Sequence, residues 1–241
     1  MGEYLFVLIV GMAAGAISGI VGTGSSIMLL PVLVISFGPK QAVPIMAVAA
    51  VMANVSRVVA WRREIDWKAF AAYSMTGIPA AAAGAKVLLD LPIRFIDVGL
   101  GIFFLAMIPF RHWLAAKNIK IRLSQLALAG GIIGFLTGIV LSTGPLSVPA
   151  FTFYGLARGA FLSTEAASSL ALYVSKVATF GGLGALSADV IIQGLIVGSS
   201  LTVGTFLAKN IVRKMSIGSF RYVLDVLLAC SGVSMLWTAF F

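Results

Sequence analysis

The chain has 241 residues, of which 60% are hydrophobic and only 10% charged, and its formal net charge is +9. Apolar runs repeatedly reach the roughly 20 residues that cross a hydrocarbon core, so we predict a polytopic membrane protein. The basic residues lie in short segments between these runs, where they set orientation, and this argues against nucleic-acid binding. With Cys230 as the only cysteine and His112 as the only histidine, a disulfide within the chain and a histidine-based metal site or catalytic triad are excluded.

Eight long apolar runs and two short ones predict the helices of this protein. The long runs cover about 4–21, 41–60, 67–88, 91–112, 123–141, 161–181, 188–208 and 218–240. The short runs, at about 25–37 and 145–157, each follow a small polar turn. We therefore predict an all-α fold in which each half has about four long transmembrane helices and one short or broken helix.

The two halves repeat one pattern at an offset of 119 residues. The matched positions are Gly11, Gly15 and Gly19 with Gly130, Gly134 and Gly138, and Ser56-Arg57 with Ser175-Lys176. Small residues at this spacing let membrane helices approach closely, so we interpret the glycine stripes as packing surfaces. The repeat predicts one integral membrane domain made of two units, 1–116 and 117–241.

The short runs decide the topology. If they do not cross the bilayer, the basic residues outside the spans divide seven against eight between the two sides. If they do cross, the division becomes twelve against three, which the positive-inside rule favours. This arrangement predicts two inverted repeats in the cell inner membrane, with both termini outside and the segment 111–122 in the cytoplasm. A helix of 12 or 13 residues spans only about 18 to 20 Å, so each short helix must tilt, lie where the membrane is thin, or end at a cavity.

The two polar turns are candidates for binding an anion. A helix broken at membrane depth leaves backbone N–H groups that lipid cannot satisfy, and the next helix presents an N-terminus with about half a positive charge. Such N-termini and neighbouring hydroxyls attract anions, although a hairpin turn capped by its own Ser and Thr residues is the alternative. The candidate binding residues are Gly22, Thr23, Gly24, Ser25 and Ser26 in the first turn, and Ser142, Thr143 and Gly144 in the second, where the nearby Ser147 adds a further hydroxyl.

Two cations lie inside apolar spans, Arg57 in the first half and Lys176 in the second. A cation in mid-span costs at least about 2.5 to 3.5 kcal/mol on insertion scales, so it usually faces a cavity or a partner. We predict that both face the anion site, together with Asn54 and Tyr173 from the same two helical stretches. The alternative for each cation is a long side chain that extends to the membrane surface.

Glu165 lies near the start of its span beside Ser163 and Thr164, with no obvious cation in the sequence around it. Glu165 is the candidate residue for coupling movement of the anion across the membrane to protons or sodium. The alternative is that its carboxylate is simply solvated at the membrane surface. Because no catalytic triad, paired carboxylates, phosphate-binding loop or metal cluster appears, we predict that the protein is not an enzyme and uses no metal or cofactor. A passive anion channel and a non-transporting scaffold remain alternatives to a carrier.

Taken together, these motifs resemble the sulfite exporter TauE/SafE family of membrane transporters. The matching features are the segment 19–26 with Pro31 downstream, the loop 62–67, the segments 77–79 and 83–85, and a looser second copy at 142–145, Lys176 and 198–204. The first turn differs from the family pattern in having Ser25 and Ser26 where further glycines are usual. The resemblance implies a transporter whose partners are the lipid bilayer and a small anion, namely sulfite, thiosulfate or an organosulfonate.

Overall fold

The structure is a computed structural model that describes residues 2–21, 25–115, 119–139, 143–156 and 158–207, with scattered residues between 222 and 240. Every regular element in these ranges is helical, which confirms the predicted all-α class. The helices are α1 (Gly2–Val21), α2 (Ser25–Phe37), α3 (Pro39–Trp61), α4 (Trp67–Asp90), α5 (Ile93–Ala115), α6 (Leu123–Ile139), α7 (Gly144–Tyr154), α8 (Arg158–Gly182) and α9 (Ala188–Leu207), with a 3-10 turn at Arg62–Glu64.

These bounds follow the apolar runs to within a few residues. The two short helices, α2 with 13 residues and α7 with 11, are about 20 and 17 Å long at the α-helical rise. The predicted span at 218–240 falls mostly outside the described residues. Those described there are helical, and Gly232 packs against Leu105 and Gly101 of α5.

Local sequence explains where several helices begin and end. Asp66 begins α4, because one of its carboxylate oxygens accepts hydrogen bonds from the backbone N–H groups of Lys68 and Ala69, both at 3.0 Å. Gly38 separates α2 from α3 with a φ of 74°, a conformation that favours glycine, and Pro39 occupies the first turn of α3. Gly155 ends α7 in the left-handed region with a φ of 108°.

The distribution of polarity is that of a protein surrounded by lipid. Large apolar side chains such as Met75, Leu128 and Phe206 are exposed, whereas the charged side chains of Glu165 and Lys176 are buried. Among the described residues, the segments Gln41–Val59 and Ala188–Phe206 are long and apolar enough to cross a bilayer by length and composition. A bilayer offers no hydrogen bonds, so apolar side chains face the lipid and charged side chains in the spans are buried against protein.

The glycine stripes are packing surfaces, as predicted. A Cβ added to Gly134 in α6 would lie 2.5 Å from the carbonyl oxygen of Gly77 in α4, and a Cβ added to Gly130 would lie still closer to the carbonyl oxygen of Tyr73. In the other half, Gly15 in α1 meets the backbone of Leu201 in α9. The helices of each pair therefore approach to backbone contact, as small residues permit in membranes.

Helices of the first half of the chain pack mainly on helices of the second half. The fourth helix of the first half, α4, packs most extensively on α6, and α9 packs correspondingly on α1. Likewise α3 packs on α9 while α8 packs on α4, and α3 and α8 pack on each other. The two matched serines make hydrogen bonds across these same helix pairs. Ser56 of α3 hydrogen-bonds Thr202 of α9 at 3.2 Å, and Ser175 of α8 donates to the carbonyl of Ile78 in α4 at 2.9 Å.

Candidate functional site

Arg57 is buried on α3 and faces α8. Its Nη1 donates a hydrogen bond to Oε2 of Glu165 at 3.0 Å, and its Nη2 donates to Oδ1 of Asn54, one turn earlier on α3. The side chains of Arg57 and Glu165 are only 8% and 3% exposed, so they form a buried ion pair. Arg57 therefore does not extend to the membrane surface, and the alternative proposed from the sequence is wrong for this residue.

The carboxylate of Glu165 is held on both of its oxygens. While Oε2 accepts from Arg57, Oε1 accepts hydrogen bonds from the hydroxyls of Ser147 in α7 at 3.1 Å and Ser169 in α8 at 2.9 Å. Simple solvation of Glu165 at the membrane surface is therefore wrong. A carboxylate bound by a guanidinium and two hydroxyls occupies a site whose donors suit any small oxyanion.

Two tyrosines complete the surroundings of this pair. Tyr173 in α8 hydrogen-bonds Ser26 in the first turn of α2 and lies within electrostatic range of Arg57 and Glu165. Tyr73 in α4 also lies within range of Glu165. The predicted residues Ser26, Asn54, Arg57, Glu165 and Tyr173 thus gather in one region. With Ser147, Ser169 and Tyr73 they form what we call the Arg57 cluster.

Lys176 lies in a second polar region. It is fully buried, its Nζ donates to the carbonyl oxygen of Thr137 in α6 at 2.8 Å, and it lies 5.5 Å from the ring centre of Phe180. The hydroxyl of Thr137 in turn shares a hydrogen bond with that of Thr143. Lys176, Thr137 and Thr143 form what we call the Lys176 cluster. Since Lys176 has no exposed surface, its extension to the membrane surface is also wrong.

The first turn of α7 lies between the two clusters. Thr143 immediately precedes α7, and its carbonyl accepts from the backbone N–H groups of Leu146 and Ser147 at 2.8 and 2.9 Å. The Thr143 side chain makes no capping hydrogen bond to its own helix, and Ser142, the other hydroxyl of this turn, lies outside the described residues. The residue that precedes α7, Thr143, thus contacts Thr137 of the Lys176 cluster, and Ser147, the fourth residue of α7, contacts Glu165.

The described contacts of Arg57 and Lys176 involve different partners. Glu165 and Lys176 are eleven residues apart on α8, about 16 Å along the helix axis. Of the predicted turns, Ser25 and Ser26 are buried at the start of α2, and Gly144 begins α7. Gly22, Thr23, Gly24 and Ser142 lie outside the described residues.

Sequence reasoning missed Thr137, Ser169 and Tyr73. Ser169 had a signal, because it follows Glu165 by four residues on a helix and therefore lies on the same face. Thr137 was one of the few polar residues in its apolar run, but nothing local showed that its carbonyl would meet Lys176.

The loop before α4 is joined to the helix that carries Glu165. The backbone N–H of Asp66 donates to the hydroxyl of Thr164 at 2.9 Å, and the carboxylate of Glu64 lies against Gly159 in the first turn of α8. Thr164 directly precedes Glu165 in sequence. The loop thus helps to fix the position of the first turns of α8.

A protein-family model described as "Sulfite exporter TauE/SafE" matches residues 7–235 of the chain. The chain matches none of the curated proteins with which it was compared.

Proposed function

Because the chain belongs to the sulfite exporter TauE/SafE family of membrane transporters, we propose that it is a secondary transporter of a small sulfur-containing oxyanion. The substrate would be sulfite, thiosulfate or an organosulfonate, carried across the cytoplasmic membrane by alternating access. Transport, rather than catalysis, is the activity of this family.

The observation that carries this proposal is the buried carboxylate on Arg57. The guanidinium and the hydroxyls of Ser147 and Ser169 already bind two oxygens of one anionic group at distances between 2.9 and 3.1 Å. Guanidinium groups bind planar and tetrahedral oxyanions in a fixed geometry, so the same donors suit a sulfite or sulfonate group. Burial strengthens these interactions because water does not compete for them.

Lys176 and the second turn belong to the proposed site as a second binding position on the substrate path, which we call the lysine station; the Arg57 cluster is the arginine station. The Nζ of Lys176 donates to the carbonyl of Thr137 near the end of α6, and the hydroxyl of Thr137 contacts that of Thr143, just before α7, whose N-terminus adds partial positive charge. The start of α2, where Ser25 and Ser26 are buried, contacts the arginine station through Ser26. We thus assign the described binding residues proposed from the sequence to an arginine station or a lysine station.

The proposed architecture is a pair of inverted repeats, 1–116 and 117–241. Supporting it are the exchanged packing of α4 on α6 and α9 on α1, and the matched contacts of Ser56 and Ser175. The inversion would let each repeat act as one side of an alternating-access carrier, and it agrees with the distribution of basic residues.

Reconstitution into proteoliposomes tests the proposal. We expect saturable uptake of labelled sulfite, thiosulfate or methanesulfonate, and a loss of at least about tenfold in Arg57→Gln and in Lys176→Gln, since each removes a charge-assisted hydrogen bond. Lys86→Gln, at an exposed lysine, is the matched control and should transport normally. Wild-type rates in both site variants would contradict the site. Non-saturating, voltage-driven currents would identify a channel instead.

A further inference from the structure

The Glu165 carboxylate occupies the position on Arg57 that an oxyanion would take. Its Oε2 accepts from Nη1 of Arg57, and its Oε1 accepts from Ser147 and Ser169. An arriving oxyanion needs the same donors, because a buried anion must be matched by hydrogen bonds and opposite charge. Substrate and Glu165 therefore compete for one guanidinium.

We propose that the substrate displaces Glu165 from Arg57 and that Glu165 then takes up a proton, so that anion and proton cross the membrane together. This inference rests on the proposed transport function and assigns its coupling ion. On the side of release, the anion leaves, Glu165 returns its proton to water, and the carboxylate binds Arg57 again. No covalent bond to the substrate forms or breaks.

The charge balance of the buried site gives the reason for the proton. Without substrate, the positive Arg57 and the negative Glu165 sum to zero. With a singly charged anion on Arg57, an ionised Glu165 would leave an uncompensated negative charge in a site that is largely buried, which is strongly unfavourable. A protonated Glu165 restores neutrality, so the empty and the loaded sites are both neutral.

The groups around Glu165 can hold it in either protonation state. Among the residues that the structure describes, the charged group paired with Glu165 is Arg57 from α3, and the titratable groups near it are the phenols of Tyr73 from α4 and Tyr173 from α8. The hydroxyls of Ser147 and Ser169 donate to a carboxylate, and hydroxyl oxygens also accept from a carboxylic acid. Proton uptake by Glu165 thus leaves its hydrogen-bonding partners satisfied.

The net charge of the buried site also predicts the charge of the preferred substrate. A singly charged oxyanion, such as hydrogen sulfite or a sulfonate, leaves the loaded site neutral. A doubly charged anion leaves one net negative charge beside a neutral Glu165. We therefore assign to the arginine station a singly charged oxyanion, carried with one proton.

Methanesulfonate is the probe that tests this coupling, because it stays singly charged at every working pH and so brings no proton of its own. In weakly buffered detergent solution, its binding to the wild-type protein should raise the pH reported by an indicator dye. In proteoliposomes, an inward methanesulfonate gradient should acidify the interior without generating a membrane potential. Binding or transport without proton movement would overturn the proposal.

Glu165→Gln isolates the proton step, because glutamine resembles the neutral acid. This variant should bind methanesulfonate with an affinity that is constant across about pH 5 to 8, while wild-type affinity rises as pH falls. When methanesulfonate binds to the Glu165→Gln variant, the protein should take up no proton from the solution. Asp189→Asn, at an exposed acid at the start of α9, is the control and should behave as wild type.

A double variant distinguishes loss of binding from loss of folding, and a second substrate tests transport itself. Arg57→Gln/Glu165→Gln removes both charges of the buried pair, so it should fold and bind methanesulfonate at least about tenfold more weakly than Glu165→Gln. Equal affinities in these two variants would overturn the assignment of Arg57. Labelled sulfite serves as the benchmark for transport itself. Absence of flux for every sulfur oxyanion would contradict the proposed function, while flux of the doubly charged thiosulfate without methanesulfonate flux would contradict only the singly charged substrate class.

Discussion

Gly134 in α6 and Gly77 in α4 are in backbone contact, because a Cβ added at Gly134 would lie 2.5 Å from the Gly77 carbonyl oxygen. We expect Gly134→Ala to force α6 away from α4 and to lower the free energy of unfolding by about 1 to 3 kcal/mol. Thermal unfolding in detergent measures the change. The neighbouring Gly131→Ala is the control, since its Cβ would meet Thr76 at an ordinary 3.6 Å and alanine favours the helix. Equal melting temperatures for the two variants would contradict the contact.

The cap of α4 gives a second prediction. Removing the carboxylate in Asp66→Ala leaves the backbone N–H groups of Lys68 and Ala69 without this partner, and should destabilise the protein by about 0.5 to 2 kcal/mol. Asp66→Asn retains a capping oxygen and should lose much less. Chemical unfolding followed by circular dichroism distinguishes the two. A loss in the asparagine variant as large as that in the alanine variant would show that the capping bonds are not the cause.

The ion pair between Arg57 and Glu165 predicts strong coupling in a double-mutant cycle. Arg57→Met leaves a buried carboxylate without its cation, which should cost about 3 to 5 kcal/mol of stability, whereas Arg57→Met/Glu165→Gln should recover most of that loss. The surface pair His112–Asp225, whose side chains are 52% and 24% exposed, is the comparison. Its disruption in His112→Ala should cost less than about 1 kcal/mol. Additive losses in the Arg57 and Glu165 cycle would contradict the buried pair.

The inverted arrangement predicts which loops face the same side. In a Cys230→Ser background, single cysteines at 63 and in the segment 209–217 should react with an impermeant maleimide only from the cytoplasmic side. A cysteine at 91, in the connection between α4 and α5, should react only from outside. Labelling of the 209–217 positions from outside alone would overturn the inversion. Cys230 is exposed, so its removal is needed before labelling.

The helices could be predicted from the sequence because their signals are local. Each apolar run determines one helix, and turn residues such as Gly38 and Gly155 mark the ends. The packing role of the glycine stripes could also be predicted, because a surface of small residues has few other uses between membrane helices.

The partner of Arg57 could not be predicted in this way. Glu165 is 108 residues away in sequence, so the turns adjacent to Arg57 give no sign of its counter-ion. The pairing depends on how α3 meets α8, which is a tertiary relation that no local pattern contains. For the same reason, the carbonyl of Thr137 could not be connected with Lys176. Both buried cations were recognised from the sequence, but their partners required the fold.

The exchanged packing of the first and fourth helices makes the two halves interdependent. The glycine face of α6 is covered by α4, and that of α1 is covered by α9, so each half supplies the cover that the other lacks. A polypeptide containing one half alone would expose these faces, and two such polypeptides could cover each other only by associating. The contacts that lie within this one chain are of the kind that would join two subunits if the halves were separate polypeptides.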